Sequence, residues 1–132
     1  RSSITVNGEP VNTRLSPQEL DGILQRTKDG GAEIVSLLKQ GSAFYAPASG
    51  AVAMAEAILR DRHAVLPVCV WLQGEYGLRD VCIGVPAQLG ASGVERIVEL
   101  ELTPAERAAL MTCANQVRDG ITRMSVLQPT TK

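Results

Sequence analysis

The sequence is poor in aromatic residues and in histidine, and both shortages limit what its core and its chemistry can be. Aromatic side chains make up 3% of the 132 residues, so the core must be built from Val, Ile, Leu and Ala. His63 is the one histidine, the residue type that most often moves protons near neutral pH. It lies in a polar stretch between a predicted helix and a predicted strand, and we expect it to be a solvated loop residue.

An excess of charge of one sign is also lacking, as are long apolar runs. Thirteen basic residues are mixed along the chain with fourteen acidic ones, and the formal net charge is −1. Without a basic patch or stripe, nucleic acid is not an expected partner. The longest apolar runs, Ala64–Leu72 and Ala43–Ala55, are shorter than the roughly 18–20 residues that a membrane span needs. We therefore expect no membrane association.

The three cysteines, Cys69, Cys82 and Cys113, show no CxxC spacing. Their odd number and apolar surroundings favour buried free thiols in a reducing compartment over a disulfide or a metal site. The chain opens on Arg1-Ser2-Ser3 rather than on a charged and then apolar leader, so no secretory signal is predicted. These features predict a cytoplasmic protein without a bound metal. An Arg at position 1 also suggests a piece of a longer protein.

The first part of the chain is predicted to be a short strand followed by helices. Ser3–Val6 is β-type and is closed by a turn at Asn7-Gly8. Ser16–Glu19 has the signature of a capping box with Pro at the first helical position, so a helix begins there. We expect this helix to stop near Gly30-Gly31 and a second, short helix to follow over Ala32–Lys39.

A third helix is predicted after Gly41 and ends near Arg60. It is crowded with Ala, Ser and Gly, and such a surface allows another backbone to approach closely. The neighbour would belong to the same chain, to another domain or to another subunit. Pro47 lacks an N–H and would break a hydrogen bond in a helix interior, so it is expected in the first turn or at a kink.

The middle of the chain is predicted to be an antiparallel sheet of about three strands. Ala64–Leu72 and Asp80–Leu89 are rich in Val, Ile and Leu and bracket a hairpin-like connection at Gln73–Gly77. Apolar residues occupy both parities of the first run, so we expect that strand to be covered on both faces. Glu95–Leu102 alternates and is predicted to be a third strand with one solvated face.

A second capping box, Thr103–Glu106, opens the closing helix. The order of a short strand, three helices, the sheet and a final helix defines an α+β domain over residues 1–124. Residues 125–132 show no periodicity and are predicted to be a frayed tail.

A search for chemistry in the residues themselves finds little. Glu99 and Glu101 alternate on a predicted exposed strand face and are interpreted as solubility charges rather than an acid–base pair. Glu75 lies in a tight turn, where a structural role is favoured. The glycine pairs do not form GxGxxG between a strand and a helix. From composition and spacing alone, the chain is an α+β domain of unknown role.

Several strings in order carry a family resemblance that covers about Ile4 to about Ile121. They are Gly41–Pro47 within the longer stretch Gly30–Leu59, Glu75-Tyr76-Gly77, Gly84-Val85-Pro86, Val94–Ile97 and Glu99–Thr103. Together they resemble the C-terminal, substrate-side domain of the malate dehydrogenases of the lactate-dehydrogenase-like type. The resemblance implies the α+β fold of lactate and malate dehydrogenase C-terminal domains.

The resemblance also implies an activity for the parent protein. Malate is oxidised to oxaloacetate, hydride passes to the nicotinamide of NAD, and a histidine oriented by an aspartate removes the hydroxyl proton. In that family the catalytic residues and the nucleotide-binding domain precede the part that this chain resembles. No catalytic residue is therefore carried over, NAD is expected to be bound mainly by an N-terminal domain absent here, and the chain alone is expected to be inactive.

Two contributions to the site do carry over as implications of the resemblance. A strand-to-helix corner holding Ser42 and Ala43 would form one wall of the substrate pocket, and Pro47 would lie near the nicotinamide ring. The helix that starts there would point its positive end toward an anionic ligand. The competing interpretation is that Ser42 and Ala43 are small only so that the helix can pack.

The expected partners are malate or oxaloacetate in the full enzyme, the chain's own N-terminal domain, and further copies in a dimer or tetramer. Two alternatives remain open. One is the corresponding domain of a lactate or other 2-hydroxy-acid dehydrogenase. The other is an interaction module without catalysis.

Overall fold

The computed structural model describes residues 2–127, and its contacts divide the chain into two compact units. The first unit covers Ser3–Ala55; the second begins at Glu56 and also includes Ser2. The described helices are α1 (Pro17–Leu38), α2 (Tyr45–Leu59) and α3 (Pro104–Leu127), and the strands are β1 (Thr5–Val6), β2 (Glu9–Pro10), β3 (Ala64–Gln73), β4 (Arg79–Gly90) and β5 (Gly93–Ile97). The predicted α+β class is confirmed.

The first unit begins with a two-stranded hairpin and the long helix α1. Strands β1 and β2 pair antiparallel around a turn in which Asn7 and Gly8 both have positive φ, 54° and 84°. The predicted capping box at the start of α1 is also confirmed. The Glu19 N–H donates to Ser16 Oγ at 3.3 Å, and the Ser16 N–H donates to Glu19 Oε2 at 2.9 Å.

The predicted break at Gly30-Gly31 is wrong, because α1 runs through both glycines as one helix of 22 residues. A glycine inside a helix costs only about 1 kcal/mol relative to alanine, which weakens a helix without ending it. The helix ends where Lys39 takes a left-handed conformation, with φ 60°, and its N–H donates to Val35 O at 3.1 Å. The predicted second and first helices are therefore a single element.

The second unit is built on an antiparallel sheet with the order β3-β4-β5. Helix α3 contributes Ala114, which is fully buried, to the core on one face of this sheet. The buried cluster consists of Val70, Leu72, Tyr76, Leu78, Val81, Ile83, Val85, Ala87 and Ala114. The shortage of aromatic residues therefore has the expected consequence, since Tyr76 is the only aromatic side chain in this cluster.

The prediction that β3 is covered on both faces is wrong. Its residues alternate in burial, and Val65 and Trp71 remain 50% and 49% exposed. The same alternation overturns the prediction of buried thiols, because Cys69 and Cys82 lie at the exposed parity of β3 and β4. The thiol of Cys113, on α3, is exposed as well. Apolar residues at both sets of alternating strand positions thus predicted more burial than the structure shows.

The third strand is shorter than predicted and is displaced toward the N-terminus. Strand β5 ends at Ile97 rather than near Leu102, and residues 98–103 follow it without regular structure. The Val98 N–H still donates to Pro86 O at 2.8 Å, after which the chain leaves the ladder.

Helix α3 begins with the second predicted capping box, which is confirmed. The Glu106 N–H donates to Thr103 Oγ1 at 3.3 Å, and Glu106 Oε2 accepts from the Thr103 N–H at 2.9 Å. The helix continues to Leu127, whereas the tail was predicted from Ser125; residues 128–132 of that tail lie outside the described residues. Within the described part, no helix is both long and apolar enough to span a membrane.

Candidate functional site

The predicted pocket-wall residues lie in the first unit, on the segment that joins α1 to α2. The expected strand-to-helix corner is therefore a helix-to-helix connection, because α1 extends to Leu38. Gly41 turns the chain there with φ 87°, a conformation that residues with a side chain rarely adopt. Ser42 is exposed and Ala43 is partly buried. Both are thus placed on a surface connection just before the first turn of α2.

Pro47 is the third residue of α2, in the first turn as predicted. A missing N–H costs nothing there, because the first N–H groups of a helix have no partner within the helix. The first backbone bond into this turn runs from the Ala48 N–H to Phe44 O at 2.9 Å. The ring of Pro47 is exposed.

An exposed aromatic pair lies between the predicted wall residues and Pro47. The rings of Phe44 and Tyr45 stack with centroids 4.8 Å apart and an interplanar angle of 29°. Their residues are 55% and 76% exposed. Two adjacent aromatics in a chain so poor in them are a visible signal in the sequence, although neither was predicted as a site residue.

The chemistry that this segment offers is limited to shape and neutral contacts. Residues 42–47 contain no charged side chain, and their polar side-chain atoms are the hydroxyls of Ser42 and Tyr45. Such a surface can exclude water and position a ligand. It supplies no imidazole, carboxylate or amine, the side-chain groups that most often remove protons in enzymes.

In the second unit, two of the strings that carry the family resemblance are brought together. Tyr76, from Glu75–Gly77, and the run Gly84–Pro86 line one groove of about 260 Å³. Leu100, Leu102, Glu106 and Leu110 complete its lining. Tyr76 has a positive φ of 54° and is buried, so the turn presents its ring to the core rather than to solvent.

The carboxylates near this turn have structural partners. Glu75 accepts from the Gln73 N–H at 2.7 Å, and this backbone hydrogen bond lowers the pKa of its carboxyl group. This contact agrees with the structural role predicted for it. Glu99 was interpreted as a solubility charge, and that interpretation is wrong: its Oε2 accepts from the Tyr76 N–H at 2.6 Å and holds the turn.

His63 is exposed in the connection between α2 and β3, as predicted, but its imidazole also has two acidic partners. Its Nδ1 lies 2.7 Å from Glu95 Oε2, and its Nε2 lies 3.5 Å from Asp61 Oδ2. The hydrogen bond with Glu95, followed by the charge of Asp61, raises the pKa of the imidazole. The partner Glu95 is 32 residues away, so nothing local to His63 could have revealed this contact.

Comparison with known proteins agrees with the family resemblance. Residues 3–127 match the model of the lactate/malate dehydrogenase, alpha/beta C-terminal domain. A malate dehydrogenase of Xanthobacter autotrophicus is 61% identical over 109 residues, which are 79% of this chain and 34% of that protein. The structure of malate dehydrogenase from Salinibacter ruber matches with a TM-score of 0.89 at 43% identity, covering 93% of this chain and 40% of that one.

A lactate dehydrogenase from Eimeria maxima, solved with NADH and oxamate, matches with a TM-score of 0.91 at 33% identity. That match covers 96% of this chain and 41% of the other. These similarities define an α/β domain of the kind that forms the C-terminal part of lactate and malate dehydrogenases. The chain belongs to the lactate/malate dehydrogenase family, and it spans between a third and about two fifths of the length of these relatives.

Proposed function

We propose that the chain is the substrate-side domain of an NAD-dependent malate dehydrogenase, which converts malate and NAD to oxaloacetate and NADH. The observation that carries this proposal is the 61% identity to a protein named malate dehydrogenase. The family match extends from residue 3 to residue 127, so the similarity covers the domain as a whole and is not limited to one motif.

Lactate dehydrogenase is the second candidate, and the degree of similarity favours it less. Over the matched region, the Eimeria lactate dehydrogenase is 33% identical to this chain, against 43% for the Salinibacter malate dehydrogenase. Both matches have comparable TM-scores, so the fold does not separate the two substrates. The preference for malate therefore rests on sequence similarity.

In the proposed enzyme, Ser42 and Ala43 form one wall of the substrate pocket and Pro47 lies beside the nicotinamide. The exposure of Ser42 and Pro47, and the partial exposure of Ala43, support this assignment, because a wall needs side chains that can contact a ligand. Small side chains leave room for a dicarboxylate. The N-terminal end of α2, which begins at Tyr45, adds a partial positive charge that favours an anion.

The same segment is suited to forming a small part of the cofactor site. NAD supplies the hydride acceptor when it is bound, and its pyrophosphate needs cationic or backbone N–H partners. Residues 42–47 carry no cationic side chain, so they suit contact with the nicotinamide end rather than with the phosphates. The chain's own part in the reaction is to orient substrate and to exclude water, while the proton-transfer groups come from the part of the enzyme that precedes it.

The remaining features of the parent enzyme follow from the same assignment. Helix α2 exposes a row of small residues, which fits a contact with the N-terminal domain or with a second copy in a dimer or tetramer. The free and exposed thiols of Cys69, Cys82 and Cys113 fit a reducing compartment such as the cytoplasm.

A chimera tests the proposal. The segment of the Xanthobacter malate dehydrogenase that matches this chain is replaced by the chain itself, and NADH formation is measured with malate and with lactate. We expect malate-dependent turnover at least about a hundredfold above that with lactate, a ratio within the range that one pocket achieves. A folded chimera that binds NAD but prefers lactate, or that oxidises neither substrate, contradicts the proposal.

A further inference from the structure

Asp61, His63 and Glu95 form a cluster of nitrogen and oxygen donors in the second unit that the proposed dehydrogenase function does not use. One donor atom from each residue lies within 4.8 Å of the other two. The imidazole has a carboxylate oxygen near each ring nitrogen, at 2.7 Å for Glu95 and 3.5 Å for Asp61. We propose that this cluster binds a divalent transition-metal ion of the zinc type.

The backbone brings two of the ligands to the same place from a short connection. Asp61 and His63 lie between α2 and β3, and both have positive φ, 48° and 50°. Non-glycine residues adopt this conformation in only a few per cent of cases, and two within three residues are rarer. The result is that both side chains reach the β4–β5 hairpin, where Asp61 contacts Ala91 and His63 contacts Glu95.

Gly90 provides the space in which the two carboxylates converge. A Cβ at this position would lie 2.9 Å from Asp61 Oδ1 and 2.5 Å from the carboxyl carbon of Glu95, both too close for a real side chain. Gly90 is not among the glycines with positive φ, so its backbone conformation does not require glycine. Room for the carboxylates is therefore a sufficient reason for the missing side chain.

Each carboxylate is already oriented by a hydrogen bond from outside the cluster. The Ala91 N–H donates to Asp61 Oδ1 at 2.7 Å, and Gln88 Nε2 donates to Glu95 Oε2 at 3.0 Å. Each group therefore keeps its other oxygen, Oδ2 of Asp61 and Oε1 of Glu95, for an ion. Such outer partners are typical of metal sites, where they fix the direction of the ligands.

The cluster also carries negative charge that nearby arginines do not neutralise. Arg60 and Arg62 pair with Glu56, at 3.5 Å and 3.3 Å, and Arg96 donates to the amide oxygen of Gln88 at 2.7 Å. With a neutral imidazole, the two carboxylates give the cluster a charge of −2. A divalent cation matches this charge.

The donor set selects the class of ion. Imidazole combined with carboxylates suits Zn²⁺, Ni²⁺ and Cu²⁺, whereas Mg²⁺ and Ca²⁺ prefer oxygen ligands alone. Zinc bonds of about 2.0–2.2 Å place tetrahedral ligands roughly 3.4 Å apart. The 3.5 Å between Asp61 Oδ2 and His63 Nε2 already has that value, so an ion bound to Nε2 can also bind Asp61. Glu95 contacts the other ring nitrogen, Nδ1, and must turn its second carboxylate oxygen toward the ion. The exposed side of the cluster leaves water to complete the coordination.

Zinc titration of the 132-residue chain tests the site at a pH above the midpoint of the His63 titration, because the ion binds the neutral imidazole. Because His63 is the only histidine, the ring C–H signals in its NMR spectrum report on one residue. We expect saturable shifts of these signals with Zn²⁺ and none with Mg²⁺. The titration continues beyond saturation of the three exposed thiols. Zinc bound to these thiols alone is expected to leave the chemical shifts of His63 unchanged.

Matched variants separate ligation from a general charge effect. Glu95→Gln and Asp61→Asn are expected to weaken zinc binding at His63 by about tenfold or more. Glu101→Gln removes one negative charge elsewhere in the second unit and is expected to leave it unchanged. No shift of the His63 signals at millimolar zinc, or equal affinity in Glu95→Gln and Glu101→Gln, overturns the proposal. Neither outcome bears on the dehydrogenase assignment, which involves none of these residues.

Discussion

The hydroxyl of Tyr76 donates a hydrogen bond to the backbone carbonyl of Val98 at 2.8 Å. The same oxygen accepts from the Leu100 N–H at 3.0 Å. The turn between β3 and β4 thus supplies hydrogen-bond partners to the backbone that follows the end of β5. One buried side chain fixes the path of the chain toward α3.

Removal of that hydroxyl is expected to destabilise the second unit. In Tyr76→Phe, the carbonyl of Val98 and the N–H of Leu100 lose a part-buried partner, which costs about 1–3 kcal/mol in the free energy of unfolding. Chemical denaturation followed by circular dichroism measures the loss. Tyr45→Phe is the matched control, because Tyr45 is 76% exposed and its change is expected to be close to neutral. Equal effects of the two substitutions would refute this role of Tyr76.

Glycines of α1 give a second prediction, in the opposite direction. Gly31 lies inside the helix with open space around the position of a Cβ, so Gly31→Ala is expected to stabilise the chain by about 0.5–1 kcal/mol. Gly41 also has open space, but its φ of 87° disfavours a side chain. Gly41→Ala should therefore destabilise by about 1–2 kcal/mol. Thermal unfolding of both variants checks the pair, and a gain in Gly41→Ala would contradict the assigned backbone.

Local signals in the sequence were sufficient to predict much of the fold. Both capping boxes and the Asn7-Gly8 turn depend on contacts within a few residues, and the structure confirms each of them. The two long strands are also confirmed, and their apolar runs with a short connection between them were visible in the sequence. The break at Gly30-Gly31 failed for a reason that is also local. The helix propensity of glycine was taken as a stop signal, although its cost is small compared with that of a proline.

Features set by distant parts of the chain were not predictable in this way. The pairing of His63 with Glu95 and that of Glu99 with Tyr76 join residues more than twenty positions apart. The exposed face of β3 depends on what covers it, and the apolar pattern could not distinguish cover within the chain from cover by another domain. The wall residues Ser42 and Ala43 came from the family resemblance, since their own chemistry is neutral.

The stability of α1 is expected to depend on pH through Glu19. Hydrogen bonds from the Ser16 backbone and side chain lower the pKa of this carboxyl group in the folded chain. A lowered folded-state pKa means that the contribution is present above the unfolded value, near 4.5, and is lost as the pH falls through the folded value. Melting temperatures of the wild type and Glu19→Gln should therefore differ at neutral pH and converge in acid. A difference that grows with acidification would contradict this.

Bulk at Ser42 is expected to impair the proposed enzyme selectively. In the Xanthobacter chimera, Ser42→Leu would fill space assigned to malate and lower kcat/KM for malate by about tenfold or more. Ser49→Leu adds the same side chain at an exposed position of α2 and is expected to leave kcat/KM unchanged. Steady-state kinetics with varied malate measures both. If the two variants lose activity equally, Ser42 is not a pocket wall.

In the proposed enzyme, this chain contributes shape, and the groups that move protons and hydride lie in polypeptide that precedes it. NADH formation by the isolated chain, in the presence of NAD and malate, tests this division of roles. We predict no turnover above the level without protein. Sustained NADH production that is abolished by His63→Asn would contradict it, because a reacting group would then lie within these 132 residues.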